Sequence, residues 1–371
     1  MTDIPATYES SRDQFRATLA SLSDRWTGSR LLSHSLVDSP DLTIDVISAD
    51  ATREKQKLLI LTTGLHGIEG YVGAAVLQLF IQEYLPRLDP ETTGLVFVHP
   101  INAYGMKHRT RVNKNSVDLN RNFEDNLDSL KPLNPHYESL AHLLNPARPL
   151  KNPLYEKLAF TWNVLKALPK GASHIREAAL MGQYRVHNGM YFGGFEHQEE
   201  TKFIQDIFRT STKDYQQVTL LDIHTGYGPR WQMTLCNPPS EKMAAKETAT
   251  RFKVPLVVGV NPEEFYTIHG DMVEYFYKMI ASQSPEKKLY AGACEFGTYG
   301  ASLLEGIHSL RTTALENCLR WFGGSESTLK WMKREYDELF VPADPKWWQK
   351  VQVDARQAFD GILSAEGYFK E

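Results

Sequence analysis

The sequence predicts an α/β fold, a central sheet of buried, parallel-type strands flanked by helices. Three observations predict it. Residues 58–62, 94–99, 218–224 and 289–296 are short apolar runs, the pattern of strands buried on both faces rather than one half in water. Helical periodicity follows the first of them, in Val72, Ala75, Val76, Leu79 and Phe80. Glycine-punctuated turns sit where strands end, at residues 64–70, in TGYGP after His224, and at Gly297 and Gly300.

The elements follow in order. Residues 7–25 form an amphipathic helix with Phe15, Leu19 and Leu22 inward. Strands 31–37 and 42–47, with a turn at 38–41, make a hairpin that pairs at the sheet edge. Strand 58–62, its loop and the helix after it organise the rest. Strand 94–99 is ended by Pro100, Asn102 and Gly105. Residues 124–215 carry little strand pattern. There 133–146, 153–168 and 199–209 read as helices, and 183–197, QYRVHNGMYFGGFEH, as a structured loop. No composition break or linker isolates this stretch, so 1–371 is read as one domain in which 124–215 is an insertion or cover. Strand 218–224, strand 255–260, helix 270–282 and strand 289–296 follow. From 303 to 371 the chain is helical, and Trp321, Trp331, Trp347 and Trp348 are expected to pack.

Composition narrows the function. With 371 residues, 42% hydrophobic and 23% charged, the chain has ordinary globular material for a large core. A net charge of -4 gives no basic surface for nucleic acid or an anionic membrane. No run of eighteen apolar residues occurs, and the first thirty residues lack the apolar centre of a signal peptide. Cys236, Cys294 and Cys318 are odd in number and widely spaced, as in reduced thiols rather than a disulfide scaffold. The expectation is a soluble, cytoplasmic protein.

The chemistry-bearing residues fall at strand ends, where open α/β sheets place their sites. His66 and Glu69 lie on the glycine-rich loop after strand 58–62. Alone, that pair equally describes a half-buried imidazole and a Glu favoured by a helix N-terminus. His224 ends strand 218–224 in the same way, and Asp222, two residues earlier on its face, can orient another group. Glu295 ends an apolar strand, where a charge costs several kcal/mol unless paired or given a task. Between these comes a polar loop with Arg109, Arg111, Asn120 and Arg121, and arginine suits the two parallel hydrogen bonds that grip a carboxylate. Two His and one Glu make the three-ligand set of a catalytic zinc, one per chain. A further carboxylate is then needed to take the proton of an attacking water, and Glu295 has the right type and the right kind of location.

The blocks HGIEG at 66–70, RVNKNSVDLNRNF at 111–123, LLDIHTG at 220–226, YTIHGDM at 266–272 and EFGTYG at 295–300 resemble, in order, those of the zinc metallocarboxypeptidases of the carboxypeptidase A type, a bacterial branch of them included. The resemblance implies a carboxypeptidase-like, mixed and mostly parallel sheet. It implies zinc ligands His66, Glu69 and His224, and Glu295 as general acid/base. Arg111 would stabilise the oxyanion, and Asn120 with Arg121 would dock a terminal carboxylate. Tyr266 would close over the substrate, and Val273 would shape the side-chain pocket. The implied activity is zinc-dependent hydrolysis of the C-terminal amide bond of a small peptide or conjugate. The related succinylglutamate desuccinylase and aspartoacylase branch, which hydrolyses N-acyl amino acids, is the second reading. A binding protein that has lost catalysis is the third.

Overall fold

The computed structural model describes residues 3–259 and 268–369. Eight strands form one sheet: β1 (Arg30–Leu36), β2 (Ser39–Ala49), β3 (Lys57–Thr63), β4 (Thr93–His99), β5 (Gln217–Thr225), β6 (Met233–Asn237), β7 (Val257–Gly259) and β8 (Lys288–Phe296). Their order is β1-β2-β4-β3-β5-β8-β6-β7. The pairs β4/β3, β3/β5, β5/β8 and β6/β7 are parallel, whereas β1/β2, β2/β4 and β8/β6 are antiparallel. The sheet is therefore mixed and mostly parallel, flanked by helices, as the sequence leads one to expect.

Two-sided burial explains the apolar runs. Along β3, Leu59 and Leu61 join one core with Val72, Val76 and Phe80 of helix Gly70–Glu83 and Phe359 and Ile362 of helix Pro345–Ala365. Leu58 and Ile60 join the opposite core with Ile204 and Phe208 of helix Glu199–Thr212 and Phe276 and Ile280 of helix Met272–Gln283. Successive strand side chains point to opposite faces, so a strand between two helical layers is apolar throughout. The first helix, Tyr8–Ser23, buries Phe15 and Leu22, with Leu19 half-buried against the first core. Residues 124–215 contribute no strand to the sheet among the described residues, and Tyr137, Leu140, Phe160, Val164 and Ala178 form a small apolar cluster of their own.

Several details differ from the sequence reading. The hairpin turns at Val37 and Asp38, one residue earlier than expected, and β2 is longer. Residues 133–146 make two single-turn helices, His136–Ser139 and Ala141–Leu144, broken at Leu140. Strand β6 and the short helices Ala172–Leu180 and Ala245–Phe252 were not anticipated. Trp331 and Trp347 are buried, but Trp321 is 39% exposed and stands edge-to-face with the His187 ring. The three cysteines are free. No helix of the described residues is long and apolar enough to cross a membrane.

His99, at the end of β4, is fully enclosed, with Nε2 2.7 Å from Ser11 Oγ and Nδ1 2.6 Å from Thr63 Oγ1. Burial pushes its pKa down to about 3, which Asp45 only partly opposes. In acid the unfolded chain takes up a proton that the folded chain refuses, so this contribution is intact above about pH 6.5 and lost as pH falls towards 3. His99→Gln should therefore lose less stability than the parent between pH 7 and pH 4.5, by about 2 kcal/mol, in urea denaturation.

Candidate metal centre

The site lies at the carboxyl ends of three adjacent strands, β3, β5 and β8. After β3 the chain turns through His66 into a single 3-10 turn, Gly67–Glu69. The turn is pinned from outside: Gly67 N–H donates to Arg111 O at 3.1 Å and Ile68 N–H to Thr110 O at 3.0 Å. A Cβ on Gly67 would lie 2.1 Å from the carbonyl carbon of Gly105, so only glycine lets the loop approach that closely. His224 is in β5, and Glu295 is its register partner on β8.

These placements bring His66, Glu69 and His224 together, with one ligand atom of each within 4.8 Å of the others. Both imidazoles turn Nδ1 towards Glu69: His66 Nδ1 is 2.9 Å from Oε1, and His224 Nδ1 is 2.9 Å from Oε2. Thr225 N–H also donates to Oε2, at 3.0 Å. All three side chains are buried. The far nitrogens face carboxylates. His224 Nε2 is 2.5 Å from Asp222 Oδ2, whose Oδ1 accepts from Thr62 Oγ1 at 2.7 Å. His66 Nε2 lies 3.2 Å from Asp118 Oδ1, off the line of a hydrogen bond. Asp118 Oδ2 accepts from Arg111 Nε at 2.9 Å, and Arg111 Nη1 reaches Glu69 Oε1 at 3.6 Å.

Electrostatics follow from this packing. Burial would raise the Glu69 pKa, but the charge of His66 and the hydrogen bonds from both imidazoles hold it below the usual carboxylate range. Burial opposes ionisation of Asp118 as well, and Arg111, then His66 and Arg121, keep it charged. Burial would lower His224, yet Asp222 and then Glu69 raise it well above an ordinary histidine. Three buried carboxylates, Glu69, Asp118 and Asp222, thus face one guanidinium and two imidazoles, and a divalent cation would offset that concentration of negative charge. Each imidazole already presents one nitrogen inward and backs the other with a carboxylate, the arrangement that orients metal-ligating histidines. Two nitrogens and a carboxylate are zinc's usual catalytic donors, so the residues fit zinc.

Glu295 stands beside this centre. Its Oε2 is enclosed without a hydrogen-bond partner among the described residues. Burial pushes its pKa up to about 8, with Glu69 adding to the rise and His224 and Arg111 opposing it. Arg121 is 3% exposed; Nη1 donates to Asn120 O at 2.8 Å, Nη2 to Leu180 O at 2.9 Å, and Nε is buried without a partner. Among the described residues it makes no ion pair with a carboxylate, and its charge reaches Asp118 only at longer range.

Not every expected residue has the expected part. Asn120 turns its amide to the start of helix Met272–Gln283, with Nδ2 donating to Asp271 Oδ2 at 3.0 Å and Oδ1 accepting from Met272 N–H at 2.9 Å. It braces Arg121 through its own carbonyl. Val273 is buried in the core. Arg109 bonds Asp337 at 2.7 Å and lies over Tyr71, and it belongs to the scaffold. Tyr266 lies outside the described residues. Asp118 was missed as a site residue, although a carboxylate two residues before Asn120, in the loop that also carries Arg111, is the sort of partner a ligating His needs.

The chain belongs to the family described as "Protein of unknown function (DUF2817)", whose sequence model matches residues 5–354. No curated protein matches it. Among solved structures it is similar to carboxypeptidase A from Helicoverpa armigera, at 14% identity and TM-score 0.47, over 93% of this chain and 72% of that one. It is similar to bovine thrombin-activatable fibrinolysis inhibitor, solved with tick carboxypeptidase inhibitor, at 14% identity and TM-score 0.46, over 83% and 95%. It is also similar to succinylglutamate desuccinylase from Chromobacterium violaceum, at 11% identity and TM-score 0.38, over 81% and 73%. At such identities an activity does not transfer with a fold, and the residues themselves have to carry the function.

The purified chain should hold one zinc by elemental analysis. Asp118→Asn and Asp222→Asn should each weaken zinc binding about 10–100-fold in a competition titration with a chelator, whereas Arg109→Lys should leave it unchanged.

Proposed function

We propose that this protein is a zinc-dependent hydrolase that cleaves an amide bond next to a free carboxylate, in a small peptide or conjugate. The observation that carries the proposal is the Glu69 carboxylate held between two inward-turned imidazole Nδ1 atoms, 2.9 Å from each. His66, Glu69 and His224 would hold the cation, which when bound supplies Lewis acidity, making water more acidic and polarising a carbonyl.

The chain's own residues divide the remaining work. Glu295 accepts a proton from the attacking water and returns it to the leaving nitrogen, and a carboxylate whose pKa is lifted towards neutrality suits both transfers. Arg111, fixed by Asp118, offers positive charge to the oxygen that becomes anionic, an effect worth roughly 3–4 kcal/mol where one such donor is removed. Arg121, whose hydrogen bonds among the described residues go to backbone carbonyls, takes the substrate's carboxylate, with Asn120 bracing it.

Enclosure favours small substrates. His66 and His224 are each 3% exposed, as is Arg121. That supports dipeptides and also the second reading, hydrolysis of N-acyl amino acids, because both place a carboxylate one residue from the scissile carbonyl. Parallel assays of dipeptides and N-acyl amino acids with the zinc-loaded protein distinguish the two.

Glu295→Gln should keep zinc and lose turnover roughly 10²–10⁴-fold, whereas His66→Ala should lose both zinc and turnover. In the parent, kcat/KM should fall as pH drops and Glu295 gains its proton, with a midpoint below 8 because a bound cation lowers that pKa. Full activity in zinc-replete Glu295→Gln would exclude this role.

A further inference from the structure

The loop at residues 183–197 has no part in the chemistry above, yet it delivers an aromatic side chain to the site. The Tyr191 ring centroid is 5.0 Å from the Arg111 guanidinium carbon and 5.6 Å from that of Arg121. Both lie within the range in which a ring face attracts a guanidinium. Arg111 is also tied to Asp118, whereas the hydrogen bonds of the Arg121 guanidinium among the described residues go to backbone carbonyls. The Tyr191 ring thus lies against both arginines at once.

The backbone supports a functional reading. Tyr191 has φ 54°, a left-handed conformation that is strained for an aromatic residue and persists only where neighbours enforce it. They do so here. Gln183 N–H donates to Tyr191 O at 3.1 Å, Asp118 N–H to Phe192 O at 2.8 Å and Gly193 N–H to Gln183 O at 2.9 Å. Asn122 Nδ2 donates to Gly193 O at 2.7 Å, and Tyr184 Oη to Arg121 O at 2.6 Å. The strained residue is clamped to residues 118–122, the run that supplies Asp118 and Arg121. At Gly193 a Cβ would lie 2.1 Å from the Tyr184 ring, so the clamp has no slack there.

We propose that Tyr191 is a substrate-positioning residue, its ring setting the spacing of Arg111 and Arg121 and so the distance allowed between a ligand's carbonyl and its carboxylate. The proposal rests on the hydrolase reading. It makes the protein selective for the length of the amino acid released, discriminating between an N-acyl α-amino acid and its γ-amino counterpart.

The test uses the full, zinc-loaded chain. Tyr191→Asn removes the ring while tolerating a left-handed backbone, so it keeps the fold, as its melting temperature and zinc content would report. We expect it to raise KM for the preferred substrate at least tenfold with kcat within threefold, and to reduce the α/γ selectivity ratio at least tenfold. Tyr191→Phe, which keeps the ring, should recover KM and the ratio to within threefold of the parent. Calorimetric titration with succinate, whose two carboxylates can engage both arginines, should show at least tenfold weaker binding in Tyr191→Asn. Hydrolysis by the parent with KM, selectivity and succinate binding unmoved in Tyr191→Asn would overturn the role of Tyr191 and leave the hydrolase reading standing. No hydrolysis by the zinc-loaded parent, with succinate binding lost in Tyr191→Asn, would overturn the hydrolase reading and keep the ring as a spacer of two anion-binding arginines. Succinate binding that is absent in the parent, or that Tyr191→Phe fails to recover, would overturn the proposal.

Discussion

One carboxylate sets the geometry of this protein's site. Glu69 meets the imidazole of its own loop with one oxygen, and with the other it meets His224 and the backbone of Thr225 on β5. It thereby joins the ends of β3 and β5 in a region where an unpaired charge would cost several kcal/mol. Asp118 and Asp222 add negative charge behind the imidazoles, so the centre holds more carboxylate than its fixed cation, Arg111, can balance. A sheet built only for stability would put apolar side chains there, as its middle does.

The rest of the site is hung from that constraint. The Gly67–Glu69 turn reaches its position because Gly105 approaches it closely and because the chain at Thr110 and Arg111 accepts its N–H groups. The same stretch continues to Asp118 and Arg121, so the segment that braces the Gly67–Glu69 turn also carries Arg111 and Arg121, the residues proposed to meet the substrate's oxyanion and carboxylate. The N-terminus of helix Met272–Gln283 is stitched to it through Asn120, and a Cβ on Gly270, at φ 71°, would lie 2.3 Å from Arg121 O. The Arg121 guanidinium is held by Asn120 O and Leu180 O, while its Nε has no hydrogen-bond partner among the described residues.

Much of this was legible in the sequence, for a physical reason. Strands between two helical layers must be apolar on both faces, so β3, β4, β5 and β8 announced themselves, and polar residues at their ends stood out. His66, Glu69, His224 and Glu295 are conspicuous because ionisable groups at the ends of such runs need a partner. Strand β6, MTLCN, is only five residues long and lies towards the sheet edge, so periodicity had little to act on. Asp118 was hidden among many polar loop residues, since its value depends on a distance to His66 that local pattern does not encode. The same holds for Asn120, whose amide serves a helix far along the chain, and for Tyr191, whose backbone conformation no composition reveals. Local chemistry can be read from residue order, but the tertiary pairing of polar groups cannot.

X-ray absorption at the zinc edge of the purified, zinc-loaded protein tests the central claim most directly. The account predicts a first shell of two imidazole nitrogens and carboxylate oxygen without sulfur, and loss of one imidazole contribution in His224→Ala. A shell containing sulfur, or one that His224→Ala leaves unchanged, would contradict it.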